Sequence, residues 1–100
     1  MYFLCRLIPP RPTFAQDMTP AEAEAMKKHV AYWTGLLAKK SVIAFGPVAD
    51  PQGVWGLGLV SVRDEAELRE LQSNDPAILA RIGLRYETIP MPRLVHGAGE

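Results

Sequence analysis

The sequence predicts an α+β fold in which four antiparallel strands form one sheet and the helices cover one of its faces. Three observations lead there. Apolar runs rich in branched and aromatic residues recur at 1–8, 41–48, 54–62 and 84–91, and these are the residues that pleated strands favour. Two capped helical stretches separate them, which sets the order strand, helix, strand, strand, helix, strand. The two middle runs are joined only by ADPQG (49–53), and so short a connection makes them an antiparallel hairpin.

Each element has its own local reason. MYFLCRLI (1–8) ends at PPRP (9–12), where proline stops a strand ladder, and a loop follows. Thr19-Pro20-Ala21-Glu22 is a capping box with proline at the first helical position. The helix it opens is expected to run to about Lys39, with Met26, Val30, Trp33 and Leu37 on its buried stripe. SVIAFGPV (41–48) is the second strand, ended by Gly46-Pro47, and VWGLGLVSV (54–62) is the third. Asp64 with Glu67 caps a helix over about 65–72, and Asn74-Asp75-Pro76 starts a shorter one that Gly83 stops. LRYETIPM (84–91) is the last strand, broken by Pro90 and Pro92. The order is that of the ferredoxin-like βαββαβ arrangement. One domain is expected over 1–93 and a flexible tail over 94–100.

Composition excludes several kinds of function. Eleven basic residues are offset by eleven acidic ones among 100, and hydrophobic residues make up 48%, a globular balance. With no basic block, neither nucleic acid nor an anionic membrane is an expected partner. No run approaches the length of a membrane span. The glycines of GVWGLGL (53–59) are followed by no lysine, so they are read as strand rather than as a phosphate cradle. Cys5 is the one cysteine; it has no partner for an internal disulfide or a metal set, and an inert buried thiol is expected. No metal and no cofactor are implied. The apolar start is short, is interrupted by Arg6 and has no basic region before it, which speaks against a signal peptide and for a cytoplasmic setting.

Strand alternation also predicts the quaternary state. Phe3, Cys5 and Leu7 point one way and Tyr2, Leu4 and Ile8 the other, with Arg6 the single charge, while Trp55, Leu57 and Leu59 oppose Val54, Val60 and Val62. The helices cover one face only, and a solvated face of an antiparallel sheet alternates apolar with polar residues. A second copy meeting the bare face across a two-fold axis would shield it, so a homodimer is expected.

The candidate site residues are few. His29 flanks the apolar stripe and shares a side with Trp33 and Leu36. Imidazole changes charge near neutral pH, so His29 is the candidate acid or base; the plainer reading is a half-buried ring bonded to a backbone carbonyl. Asp75 is its candidate partner, against the plainer reading of a helix N-cap. Arg6 either reaches the sheet rim along its aliphatic stem or offers a positive charge to an anionic ligand. Asp50 either makes its turn or joins a substrate site. Trp33, Trp55, Tyr32 and Tyr86 either wall an apolar pocket or pack as core and dimer contacts. His96 lies in the tail and suggests no role.

Several of these features, in their order and spacing, resemble the YCII-related family of small proteins. They are the helix-borne histidine in MKKHVAYWTGLLAKKSVIAFGPV (26–48), the glycine-spaced third strand, the NDP helix start (74–76) and YETIPM (86–91). RPTFAQDMTPAEAEAMKKH (11–29) looks like the branch with a longer loop before its first helix. The resemblance implies a dimeric α+β barrel similar in fold to muconolactone isomerases. It also implies a histidine–aspartate pair in a cleft beside the sheet, falling on His29 and Asp75. One relative is a dehydrochlorinase of a chlorinated hydroxyquinol. The expected function is therefore acid–base chemistry of the isomerase, lyase or dehydrochlorinase type on a small cyclic or aromatic substrate, with no cofactor. Arg6, Trp33 and Asp50 would bind the substrate. The alternative is a non-catalytic dimeric ligand-binding or accessory domain.

Overall fold

Strands β1 (Tyr2–Ile8), β2 (Val42–Val48), β3 (Trp55–Ser61) and β4 (Arg85–Met91) pair as one antiparallel sheet in the order β2-β3-β1-β4. Helices α1 (Phe14–Asp17), α2 (Pro20–Ala38), α3 (Glu65–Ser73) and α4 (Pro76–Leu79) complete the computed structural model, which describes residues 1–97. The tail expected over 94–100 thus falls, at 98–100, outside the described residues. The helices lie on one face, the ferredoxin-like α+β arrangement.

The strand pattern follows from the pleat. Phe3, Cys5 and Leu7 are almost fully buried, whereas Tyr2, Leu4, Arg6 and Ile8 between them are half-buried, so β1 turns its odd-numbered residues to the helices. Register carries this face across the sheet, because Cys5 stands opposite Gly58 and Leu7 opposite both Gly56 and Tyr86. The core joins Phe3, Cys5, Trp33, Val42, Val60, Val62, Leu68 and Leu71. Burial pushes the Cys5 thiol up to about 11, which keeps it protonated and inert.

The caps act as expected. The Thr19 side chain accepts from the Glu22 amide at 3.1 Å while Glu22 Oε1 accepts from the Thr19 amide at 2.9 Å. Asp64 accepts from the Glu67 amide at 2.9 Å. Gly83, at φ 96, takes the left-handed turn that leads from α4 into β4.

Three details differ from the sequence reading. Pro90 does not break the last strand, because β4 is an edge strand and runs through it to Met91. The buried stripe of α2 is Glu22, Ala25, His29 and Trp33, whereas Val30 is 50% and Leu37 37% exposed. The helix is rotated because His29 and Trp33 have a polar partner inside the molecule, and hydrogen bonding there outweighs a purely apolar choice of face. Inside the loop after β1 lies the unexpected turn of helix α1. Arg11 holds it, donating to Asp17 Oδ1 at 2.8 Å and to both oxygens of Glu22 at 2.9 and 2.7 Å, while Phe14 is buried beneath.

Candidate functional site

The site is built where α2, α4 and β4 meet. Asp75 is the residue before α4, and its carboxylate caps that helix by accepting from the Ala77 amide at 2.9 Å. The same carboxylate, with no exposure to solvent, also faces the third turn of α2. His29 Nδ1 lies 2.8 Å from Oδ2 and 3.0 Å from Oδ1, and Trp33 Nε1 donates to Oδ2 at 2.9 Å. His29 and Trp33 are one helical turn apart, so both reach the same partner. From β4 the Tyr86 hydroxyl donates to Oδ2 as well.

Four donors on one buried carboxylate decide its charge. Burial alone would push the Asp75 carboxyl up, but the bonds from His29 and Tyr86 outweigh it and hold the group below its ordinary value. Burial and the neighbouring Asp75 charge push the Tyr86 hydroxyl well above the usual phenol range, so it stays a donor. With Nδ1–H directed at the carboxylate, the tautomer leaves the His29 Nε2 lone pair free for a ligand.

His29 forms part of the wall of a cavity of about 240 Å³ between the helices and the sheet. Phe14 and Met18 from the α1 region, Met26 and Trp33 from α2, and Phe45 from β2 form much of the remaining wall. Trp33 organises this interior: its ring centroid lies 5.8 Å from His29, 5.7 Å from Phe45 and 6.2 Å from Tyr86, stacked on the last. Its edge rests on Gly58, where a Cβ would collide with the indole. The arrangement offers one proton acceptor, backed by a carboxylate, in otherwise apolar surroundings, which is the make-up of a general acid–base site.

The structure brings His29, Asp75 and Trp33 together. Arg6 and Asp50 stand elsewhere, in a second hollow of about 230 Å³ that shares only Pro9, Val54 and Trp55 with the first. The Arg6 guanidinium lies 4.4 Å from the Trp55 ring centroid and 3.2 Å from Glu87 Oε1. Asp50 accepts from Trp55 Nε1 at 3.0 Å and from the Gln52 amide at 2.8 Å, and these bonds hold its carboxyl below the ordinary value. Sequence reading named Tyr86 as a pocket wall or as a core or dimer contact and missed it as a donor to Asp75. Alternation along β4, where Arg85 and Glu87 flank it, would have placed Tyr86 on the helix side. The walls from Phe14 and Met18 had no comparable signal.

Fold and site together define a ferredoxin-like α+β protein with a buried histidine–aspartate pair opening on an apolar cavity. The chain belongs to the YCII-related family, whose domain model matches residues 1–92. No curated protein matches it. Among solved structures it is similar to a 5-chloro-2-hydroxyhydroquinone dehydrochlorinase from Burkholderia phenoliruptrix, solved in complex with 2,5-dihydroxybenzoquinone. That likeness has a TM-score of 0.65 at 20% identity, over 97% of this chain and 96% of that one. A proposed antibiotic biosynthesis monooxygenase from Caulobacter crescentus is also similar, with a TM-score of 0.52 at 14% identity over 92% of this chain and 90% of that one. At these identities the likeness is one of fold.

Proposed function

We propose that this protein is an acid–base enzyme, of the isomerase, lyase or dehydrochlorinase type, for a small cyclic or aromatic substrate. His29 is the general base and Asp75 the residue that orients it. The carrying observation is the buried His29–Asp75 bond with the same imidazole on the wall of an apolar cavity. In the reaction Nε2 takes a proton from the bound substrate, and the imidazolium that forms is stabilised by the Asp75 carboxylate. In an isomerisation that proton returns to a different atom of the substrate. In an elimination the electron pair left behind expels the leaving group as an anion, and the imidazolium releases its proton to water. The dehydrochlorinase of similar fold performs an elimination on a hydroxylated ring, and this favours the same class here. Trp33 forms part of the wall that keeps water from the reacting atoms.

The enzyme is proposed to act in the cytoplasm through one domain over 1–93, as a homodimer joined across the bare face of its sheet. No helix among the described residues is long and apolar enough to cross a membrane.

Kinetics on a panel of hydroxylated aromatics and lactones test the proposal. His29→Ala should lower kcat by about 10²–10⁴-fold, the usual worth of a positioned base. A second reading draws on the way Asp75 ties α2, α4 and β4 together, which suits a structural staple in a ligand-binding or accessory domain. Under that reading the wild type turns over nothing in the panel and His29→Ala only loses stability.

A further inference from the structure

Apart from the imidazole, no side chain lining the His29 cavity, among the described residues, can carry a formal charge at neutral pH. Arg11 lies close by, its guanidinium 5.3 Å from the Phe14 ring centroid, but Asp17 and Glu22 occupy it. Arg6 belongs to the other hollow and pairs with Glu87. The charge that a ligand meets is therefore that of the His29–Asp75 pair alone.

That pair has two states. With a neutral imidazole it carries the single negative charge of the carboxylate, and with an imidazolium it carries none. In neither state is it positive. An anion entering the cavity would lose its water to an apolar wall and find no compensating cation, a cost that buried charges escape only by pairing. A neutral ring suits the same wall. The free Nε2 is an acceptor while Nδ1–H points at Asp75, so the matching polar group on the ligand is a donor.

Resting on the acid–base reading of this site, we infer that the cavity selects an uncharged ring compound that donates one hydroxyl to His29 Nε2 and rejects carboxylated or phosphorylated relatives. The ring lies among Trp33, Phe45, Met26, Phe14 of α1 and Met18 just after it. This turns away the anionic ligand that Arg6 suggests when only the sequence is considered.

Three probes of one shape separate the terms: 4-ethylphenol (donor, neutral), 4-ethylanisole (neutral, no donor) and 4-ethylbenzoate (anion). Each is titrated at pH 7 into the wild-type protein, and Kd is read from shifts of the His29 ring resonances in NMR spectra of isotopically labelled protein. 4-Ethylphenol should bind at least tenfold more tightly than either of the others while moving those resonances. Benzoate binding within threefold of the phenol, with the same shifts, overturns the charge selection. Anisole binding equal to the phenol overturns the donor. If no probe moves the His29 resonances, the site assignment itself is overturned. Turnover is not read here, so a failure of the acid–base reading, seen as no turnover by the wild type on any hydroxylated ring, is a separate result.

Discussion

At the scale of the residue, Asp75 does two tasks that sequence reading treats as rivals. It caps α4 through the Ala77 amide and it holds His29, Trp33 and Tyr86. Removing a buried carboxylate leaves those donors without a partner, and Asp75→Ala should lower the free energy of unfolding in urea by about 3–5 kcal/mol. The sign of the pH dependence follows from its lowered pKa. Protonating Asp75 is harder in the folded protein than in the unfolded chain, whose carboxyl titrates near the ordinary 3.8. The stabilisation is therefore whole above that pH and drains away as pH falls below it towards the folded value. Urea curves of wild type and Asp75→Asn should stand apart at pH 6 and approach each other below pH 3.8.

At the scale of the element, α2 and β3 are matched by one large and one absent side chain. Trp33 sits on Gly58, and the indole can reach Asp75 only while that strand position is bare. Gly58→Ala should push the ring outward and cost about 1–3 kcal/mol, as overpacking does; loss of the near-ultraviolet circular dichroism of the tryptophans would register the shift. The α1 turn is held differently, by the ion pairs that half-buried Arg11 makes with buried Glu22 and exposed Asp17. Arg11 holds the Glu22 carboxyl at about 2, below its usual 4.5, so that contribution is full above pH 4.5 and fades as pH falls towards 2. Arg11→Ala should speed hydrogen exchange at the Gln16 and Asp17 amides, which bond to Thr13 O at 2.8 and 3.1 Å. Wild type should show the same loosening as it is acidified through that range.

At the scale of the whole molecule, the uncovered sheet face is the outstanding feature. Leu4 stands opposite Leu59 on one side and Ile89 on the other, an apolar row across three strands, and Ile89 is 52% exposed. The charges near it are Arg6, Glu87 and Arg85, which pair among themselves at 3.2 and 2.9 Å. A face of this kind buries well against its own copy about a two-fold axis. Sedimentation at micromolar loading should report a dimer, and Leu59→Arg should report a monomer with unchanged far-ultraviolet circular dichroism. A wild type that sediments as one subunit would remove the dimer from the proposal.

The order and kind of the elements were legible because they depend on neighbours within about four positions. Thr19 with Glu22 and Asp64 with Glu67 read as caps, proline ends β1, and the alternation of β1 separates Phe3, Cys5 and Leu7 from the other face. The turn at Phe14–Asp17 was not legible, since it rests on Arg11 reaching forward to Glu22 rather than on a pattern of its own.

By itself, then, the sequence determined the sheet, its helices other than α1, and a short set of candidate residues that included His29 and Asp75. Tertiary structure decided what those residues face. His29 and Asp75 are 46 positions apart, and the rotation of α2 that joins them follows from a hydrogen-bonding need inside the core, not from the spacing of apolar residues. Tertiary structure also decided that the cavity opens on the helix side of the sheet, where the pleat of β1 does not bring Arg6 and where Asp50, bonded to Trp55 Nε1, does not reach.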